Sequence, residues 1–301
     1  MKNIFTCSTA FVLGLALMAA PNADAQQFSK RKQYNSVGFS LNGMSYFGDV
    51  TPLTNLASTR IGSTRAGAGV SITRRFYPRI SGRFGLSYGR IAGSDALAAS
   101  DQDPNARFRN NRNFTFRNDI VEASGVVIVD LIENRNNYLK RPDFVPYVFA
   151  GVAGFYHNPK GLVGPNTLGL TEGQYISLPD LRTEGQAKAY SQTQFAIPFG
   201  AGIRYRINRN FDASLEIGWR KTFTDYLDDV GGKFAPKSAL VTPAQQYFGN
   251  QITKSQTGDF AAFTSPDSRR GSANNKDDWY IVTGVTLNYI LTPHIKNPKF
   301  R

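Results

Sequence analysis

The sequence predicts an all-β chain, an eight-stranded antiparallel up-and-down transmembrane β-barrel with long outer loops, and three observations carry that prediction. The first is alternation. From Phe195 every second residue is apolar (Phe195, Ile197, Phe199, Ala201, Ile203, Tyr205, Ile207), and after a break at Asn208-Arg209-Asn210 the pattern resumes through Phe211, Ala213, Leu215, Ile217 and Trp219. Side chains of a strand point to opposite faces with period two, so this reads as a long hairpin with one apolar face and one polar-to-small face. The second is length. Both strands outrun the five or six residues usual in soluble sheets and reach the roughly 9–11 that cross a bilayer at a tilt. The third is asymmetry: connections are short after strands two, four and six, and long after strands one, three, five and seven, as in bacterial membrane barrels.

The N-terminus, residues 1–25, reads as a secretory signal. Lys2 supplies the charge, Ile4 to Ala20 an apolar core, Pro21 a break, and Ala23-Asp24-Ala25 a small-x-small cleavage site before Gln26. Residues 26–301 then form a single barrel domain ending in a basic tail over residues 292–301. Cys7 is the single cysteine of the chain and lies in the signal, so cleavage leaves no disulfide framework and no thiolate metal site. No later segment is long and apolar enough for a transmembrane helix. The net charge of +13 survives cleavage, because Lys2 and Asp24 leave together. Export argues against nucleic acid as the partner of that charge and favours anionic outer-membrane lipid or an acidic protein.

The strands follow in order. The first is Val37 to Gly48, with Val37, Phe39, Leu41 and Phe47 in phase. A polar loop leads to the second, Ala66 to Phe76, with Ala68, Val70, Ile72 and Phe76 outward; Tyr77-Pro78-Arg79 turns the chain, Pro fixing φ and denying a ladder donor. The third presents Phe84, Leu86 and Tyr88 against Arg83, Gly85, Ser87 and Gly89, before a loop from Ser94 to Asn113. The fourth lies within Phe114 to Ile132, with Val121, Ala123, Val127, Val129 and Leu131 on one face and Glu122, Ser124 and Asp130 on the other. A basic turn with Arg135, Lys140 and Arg141 leads to the fifth, Phe144 to Tyr156, which is apolar on both faces and leaves its orientation open between Tyr147/Phe149 and Val148/Val152. A loop from Asn158 to about Thr193, the opening hairpin, and a loop from about Val230 to Asp278 precede the last strand, Trp279 to Leu291. Aromatics near strand ends (Tyr46, Phe47, Phe76, Tyr77, Phe114, Phe155, Trp219, Trp279, Tyr289) are the expected interfacial girdles. A soluble lipocalin-like barrel would use the same alternation with its apolar face inward. The small, sparsely charged second face and the one-sided loops favour the membrane barrel.

On that reading Arg83, Glu122, Asp130, Arg204, Arg206, Asp212, Glu216 and Arg220 face the lumen. An eight-stranded barrel is just wide enough for side chains to fill it, and unpaired charge in a dry interior is costly, so these residues are expected to pair and plug the lumen rather than line a pore. No cofactor or metal is expected. The two histidines, His157 and His294, have no ligand spacing, and the acidic cluster Asp225, Asp228 and Asp229 lacks the spacing of a calcium loop. His157 at the outer rim is the one candidate base for a lipid-acting barrel enzyme, with no motif around it.

Three stretches resemble the PorG-type outer-membrane proteins of Bacteroidetes: Tyr46-Phe47-Gly48-Asp49-Val50; the run Arg220, Lys221, Thr222, Phe223, Thr224, Asp225, Tyr226, Leu227, Asp228, Asp229, Val230; and Asn274-Asn275-Lys276-Asp277-Asp278-Trp279-Tyr280. The closing Asn297-Pro298-Lys299-Phe300 is similar to that family's tail, which usually has a cysteine where this chain has Asn297. The resemblance implies a barrel without catalytic activity, an accessory part of the type IX secretion system that in some bacteria also serves gliding. It also implies a periplasmic ring-forming lipoprotein as partner. With both termini periplasmic, the surface expected to meet that ring is the set Arg79, Arg135, Lys140, Arg141 and Arg209 of the turns, with His294, Lys296, Lys299, Phe300 and Arg301 of the tail. The alternative within the same fold is a surface protein for adhesion or ligand capture through the long loops.

Overall fold

The computed structural model describes residues 32–50, 63–95, 112, 114–249, 270–271 and 277–292. The signal and the tail residues His294, Lys296, Lys299, Phe300 and Arg301 lie outside them.

Eight long strands form the wall: β1 (Asn35–Phe47), β2 (Arg65–Arg75), β3 (Ile80–Ser94), β4 (Thr115–Asp130), β5 (Phe144–Leu162), β7 (Thr193–Arg206), β8 (Phe211–Thr222) and β9 (Trp279–Leu291). A short ninth strand, β6 (Tyr175–Ser177), pairs with the end of β5. All neighbours are antiparallel, β1 pairs with β9, and the β4–β5 pairing completes the ring. The ladders join strand to strand around the whole ring, with one gap where Gly151 and Val152 face Pro198 and Ile197, so the wall leaves no open edge. One end carries short turns, after β2, β4 and β7; the other carries the long connections after β1, β3, β5 and β8.

The apolar face points outward. Phe39, Leu41, Val70, Ile72, Phe84, Leu86, Val121, Val127, Phe195, Ile203, Leu215, Val285 and Leu287 are all exposed. A soluble barrel would bury that set, whereas a collar of this extent around a closed sheet with a charged interior is the solvation pattern of a membrane-spanning barrel. The orientation left open for the fifth strand is now clear: Val148 and Val152 are outward, and Tyr147 and Phe149 are buried inside at 2% and 5% exposure. The reason lies across the lumen wall. Gly202 is the register partner of Tyr147 and Gly200 of Phe149. A Cβ on Gly202 would stand 2.6 Å from the Tyr147 ring, and one on Gly218 would stand 2.8 Å from the Phe149 ring. Inward glycines on β7 and β8 make the room that inward aromatics on β5 fill.

Three expectations need correction. The fifth strand runs on to Leu162 instead of ending at Tyr156, so the loop expected from Asn158 starts later. Asn118 on β4 holds this extension by accepting the Asn158 N–H at 2.8 Å. Tyr46, Phe114 and Phe155 are not girdle residues; they are 1–2% exposed and sit inside, because their positions fall on the inward parity of the chain at β1, β4 and β5. Phe47 keeps outward parity but is covered, at 4% exposure. Phe76, Tyr77 and Tyr289 are exposed at the collar's edge, and Trp219 and Phe199 stack there at 5.9 Å. Finally, Arg141 is buried and cannot be part of an exposed docking face.

Candidate functional site

Two groups of buried polar side chains stand out, one in the lumen and one capping the long-loop end. In the lumen, parity brings opposite charges together across the barrel. Arg83 on β3 forms a two-point pair with Glu216 on β8, one contact being 3.0 Å, and the Tyr147 hydroxyl donates to the same carboxylate. Arg220 reaches Glu122 at 3.3 Å, and the Tyr280 hydroxyl donates to Glu122 at 2.6 Å. Asp130 takes Arg204 at 3.1 Å and also Arg75 at 3.1 Å. Asp212 is held by Arg141, at 2.7 Å and 3.0 Å, and the same guanidinium donates to the carbonyls of Asn208 and Arg209, closing the short-turn end. Arg206 stands apart at the rim with the exposed Asp143. Between these pairs remain cavities of only about 30 and 70 Å³, both touched by Arg83 and Glu216. Such spaces suit a few waters.

The acidic run after β8 builds the second group. Thr222 and Thr224 bond the backbone of Asp278 before β9, at 2.6 Å and 2.9 Å. That contact tucks Leu227, Asp228 and Asp229 into the barrel mouth, where all three are fully buried. They pack over Tyr46, Phe116, Phe155 and Tyr280, with Leu178, Val163 and the rings of the short helix α1 (Pro243–Gly249) closing above. The Tyr46 hydroxyl lies 2.6 Å from Asp228 Oδ2 and 2.9 Å from Asp278 Oδ1. One hydroxyl carries one proton, so two carboxyl groups share a single donor. Burial, reinforced by the neighbouring carboxylates, raises both acids well above the usual carboxylate range.

Arginines tie the rest. Arg112 clamps Asp95 with two contacts of 2.7 and 2.8 Å and donates to the Arg270 carbonyl at 2.6 Å. Arg270 binds Asp229, Thr183, Glu184 and the carbonyl of Phe248. Asp229 also accepts from Tyr190 at 2.8 Å, yet burial still pushes it up to about 6 against the pull of Arg270. Asp225 is pushed up to about 8, by burial first and then by Asp49, Glu184 and Asp277.

The remaining candidates fall as follows. Arg79, Arg135, Lys140 and Arg209 are exposed at the short-turn end. Lys221 points outward and pairs with Asp277 at 3.1 Å, and Phe223 is exposed beside it. Tyr226 stacks on Tyr190 at 4.7 Å. His157 is fully buried, with its ring stacked parallel to Tyr190 and tilted against Phe155. Among the described residues no three His, Cys, Asp or Glu side chains are placed to hold a metal ion. Several site residues escaped the sequence reading. Arg75 and Tyr280 lie on the inward parity of β2 and β9 and could have been found by extending the alternation. Arg112 and Arg270 sit in loops and carry no local signal.

The model of a family described as a domain of unknown function, DUF6089, matches residues 23–264. No curated protein matches the chain. Among solved structures it is similar to the outer membrane protein OprG of Pseudomonas aeruginosa, at 8% identity and a TM-score of 0.40, covering 87% of this chain and 98% of that one. A major outer membrane protein of Thermus thermophilus gives 11% identity and 0.39, covering 85% and 99%. Ail, the attachment invasion locus protein of Yersinia pestis, gives 9% and 0.36, covering 86% and 97%.

Proposed function

The chain belongs to the DUF6089 family, a domain of unknown function, and from that premise we propose that it is a non-enzymatic outer-membrane barrel that anchors the periplasmic ring of a type IX secretion (and gliding) machine. The observation that carries the reading is closure. Each lumenal carboxylate meets at least one guanidinium and the long-loop end is capped by its own packed core, so the barrel offers surfaces rather than a passage. The buried position of His157 leaves a lipid-acting enzyme without its accessible base. The resemblance of residues 220–230 to PorG-type proteins supplies the machine. The exposed cations Arg79, Arg135, Lys140 and Arg209 supply a docking face for an acidic ring lipoprotein, and this reading puts the short-turn end, where β1 begins and β9 ends, on the periplasmic side.

Cross-linking in intact cells, followed by purification from solubilised outer membrane and mass spectrometry, tests the reading. Recovery of a periplasmic ring lipoprotein, lost on Arg79→Glu/Lys140→Glu/Arg209→Glu, is the expected result. Equal recovery with the charge-reversed chain would sink the docking face. A second reading, a surface binder, is favoured by the well-built long-loop end with β6 and α1. It predicts cross-links through residues 163–192 or 231–249 to surface proteins or glycans instead.

A further inference from the structure

The outward faces of β3, β4 and β5 change character at one level. They run apolar to Tyr88, Val121 and Tyr156, which are level with one another by strand register. The next outward positions toward the long-loop end are Arg90, Asp119 and Asn158, followed by Arg117 and Lys160. Arg117 and Lys160 are direct cross-strand partners. Like charges directly opposite on one face destabilise a strand pair unless a counter-charge joins them. Among the described residues Asp119 is the one acid at these positions, accepting from Arg90 Nε at 2.6 Å and from Lys160 Nζ at 3.4 Å. Three cations against one carboxylate leave a net charge of +2 on this face (3 − 1). The Arg117 guanidinium lies 3.8 Å over the Tyr175 ring, which orients it without neutralising it, and its Nε has no hydrogen-bond partner among the described residues.

Position gives the patch its meaning. The three strands have 15, 16 and 19 residues, well beyond the roughly 9–11 needed to cross the hydrocarbon. Tyr88 and Tyr156 stand where the collar ends, as interfacial aromatics do. The cations directly above them stand half-buried on the outward face of the wall, Arg117 partly covered by Tyr175, at the level where headgroups are expected.

We propose that Arg90, Arg117 and Lys160 bind the phosphate of an anionic glycolipid in the outer leaflet, its acyl chains lying on Val121, Val152 and Tyr156 below. Continuity with the apolar collar is what selects a lipid over a free anion: a phosphate tethered to acyl chains satisfies both halves of the surface at once, and guanidinium groups suit its geometry. The assignment rests on the long-loop end facing outward and not on the secretion role.

The test uses the full chain in nanodiscs of neutral phospholipid doped with bisphosphorylated lipid A, dephosphorylated lipid A or phosphatidylglycerol, with retained lipid counted by native mass spectrometry. The wild type is expected to retain the bisphosphorylated lipid about tenfold or more over the dephosphorylated one, and Arg90→Gln/Arg117→Gln/Lys160→Gln to lose that preference. Asp119→Asn, which frees two cations, should increase retention. All four positions are outward, and a heat-modifiability gel checks that each variant is folded. Equal retention by the triple variant would overturn the proposal. So would equal retention of phosphatidylglycerol, which means a general anionic surface, or full displacement by millimolar inorganic phosphate, which means a site for the free anion. A failed premise reads out separately, as surface labelling of the Arg79 turn rather than the long loops in intact cells, and would overturn it too.

Discussion

The lumen and the cap at the long-loop end are both closed by buried charge, but on different terms. In the lumen each carboxylate meets at least one guanidinium: Glu216 with Arg83, Glu122 with Arg220, Asp130 with Arg75 and Arg204. These residues ride on strands whose register is set by the whole ladder, so the pairs meet without separate ordering of loops. In the cap the acids crowd one another. Asp228 and Asp278 share the Tyr46 hydroxyl, and Asp225 Oδ1 is buried with no partner among the described residues. Geometry seals the lumen, whereas protonation and two arginines hold the cap.

The largest expected effect follows from the arginines. Arg270→Ala strips Asp229, Thr183, Glu184 and the backbone carbonyls of Asp229 and Phe248 of one donor group, leaving an uncompensated buried acid. It should destabilise the cap by roughly 3–5 kcal/mol, as breaking a buried pair does. Hydrogen exchange should show residues 223–232 opening while β7 and β8 stay protected. Opening of both regions together would erase the contrast.

A smaller loss is expected in the lumen. Glu216→Ala leaves Arg83 beside water-sized cavities that can rehydrate it, at a cost of about 1–3 kcal/mol in urea unfolding. Because replacing both members of a buried pair by apolar residues is often neutral, Arg83→Met/Glu216→Leu should recover most of that loss. A double variant no better than the single would show that the pair does more than neutralise itself.

The smallest effect is in pH. Asp225 and Asp229 have folded values raised above the ordinary carboxylate value, to about 8 and about 6. Their protonated forms favour the fold, so that contribution is complete below about pH 4 and is lost as pH rises through the folded values. Exchange protection of residues 223–232 should therefore fall between about pH 4 and 8 while the strands stay flat. Asp225→Asn mimics the protonated acid and should remove the upper part of that fall. An unchanged profile in that variant would move the titration elsewhere.

Much of this architecture is legible in the sequence. Period-two alternation marked out β7 and β8 nearly to the residue, and the same parity placed Arg83, Glu122, Asp130, Arg204 and Glu216 on one face. Parity also held information that end-of-strand aromatic counting overrode. Tyr46 is out of phase with Phe39 and Leu41, which already marks it as interior. The fifth strand resisted because Tyr147, Val148, Phe149 and Val152 are all apolar; what decides among them is the glycines of neighbouring strands, a cross-strand fact. The contacts of the cap had no periodic signature at all. They join residues 46, 112, 228, 270 and 278 across long loops, where no period links one residue to the next. Arg141 shows the same limit in a turn: composition marks it as basic, and only the fold pairs it with Asp212.

The most direct test of a closed barrel is single-channel recording of the purified, refolded chain in planar bilayers. The paired lumen and packed cap predict no stable conductance at any pH at which the cap stays protected. Reproducible open steps from the wild-type chain would contradict that closure and, with it, the scaffold reading built on it.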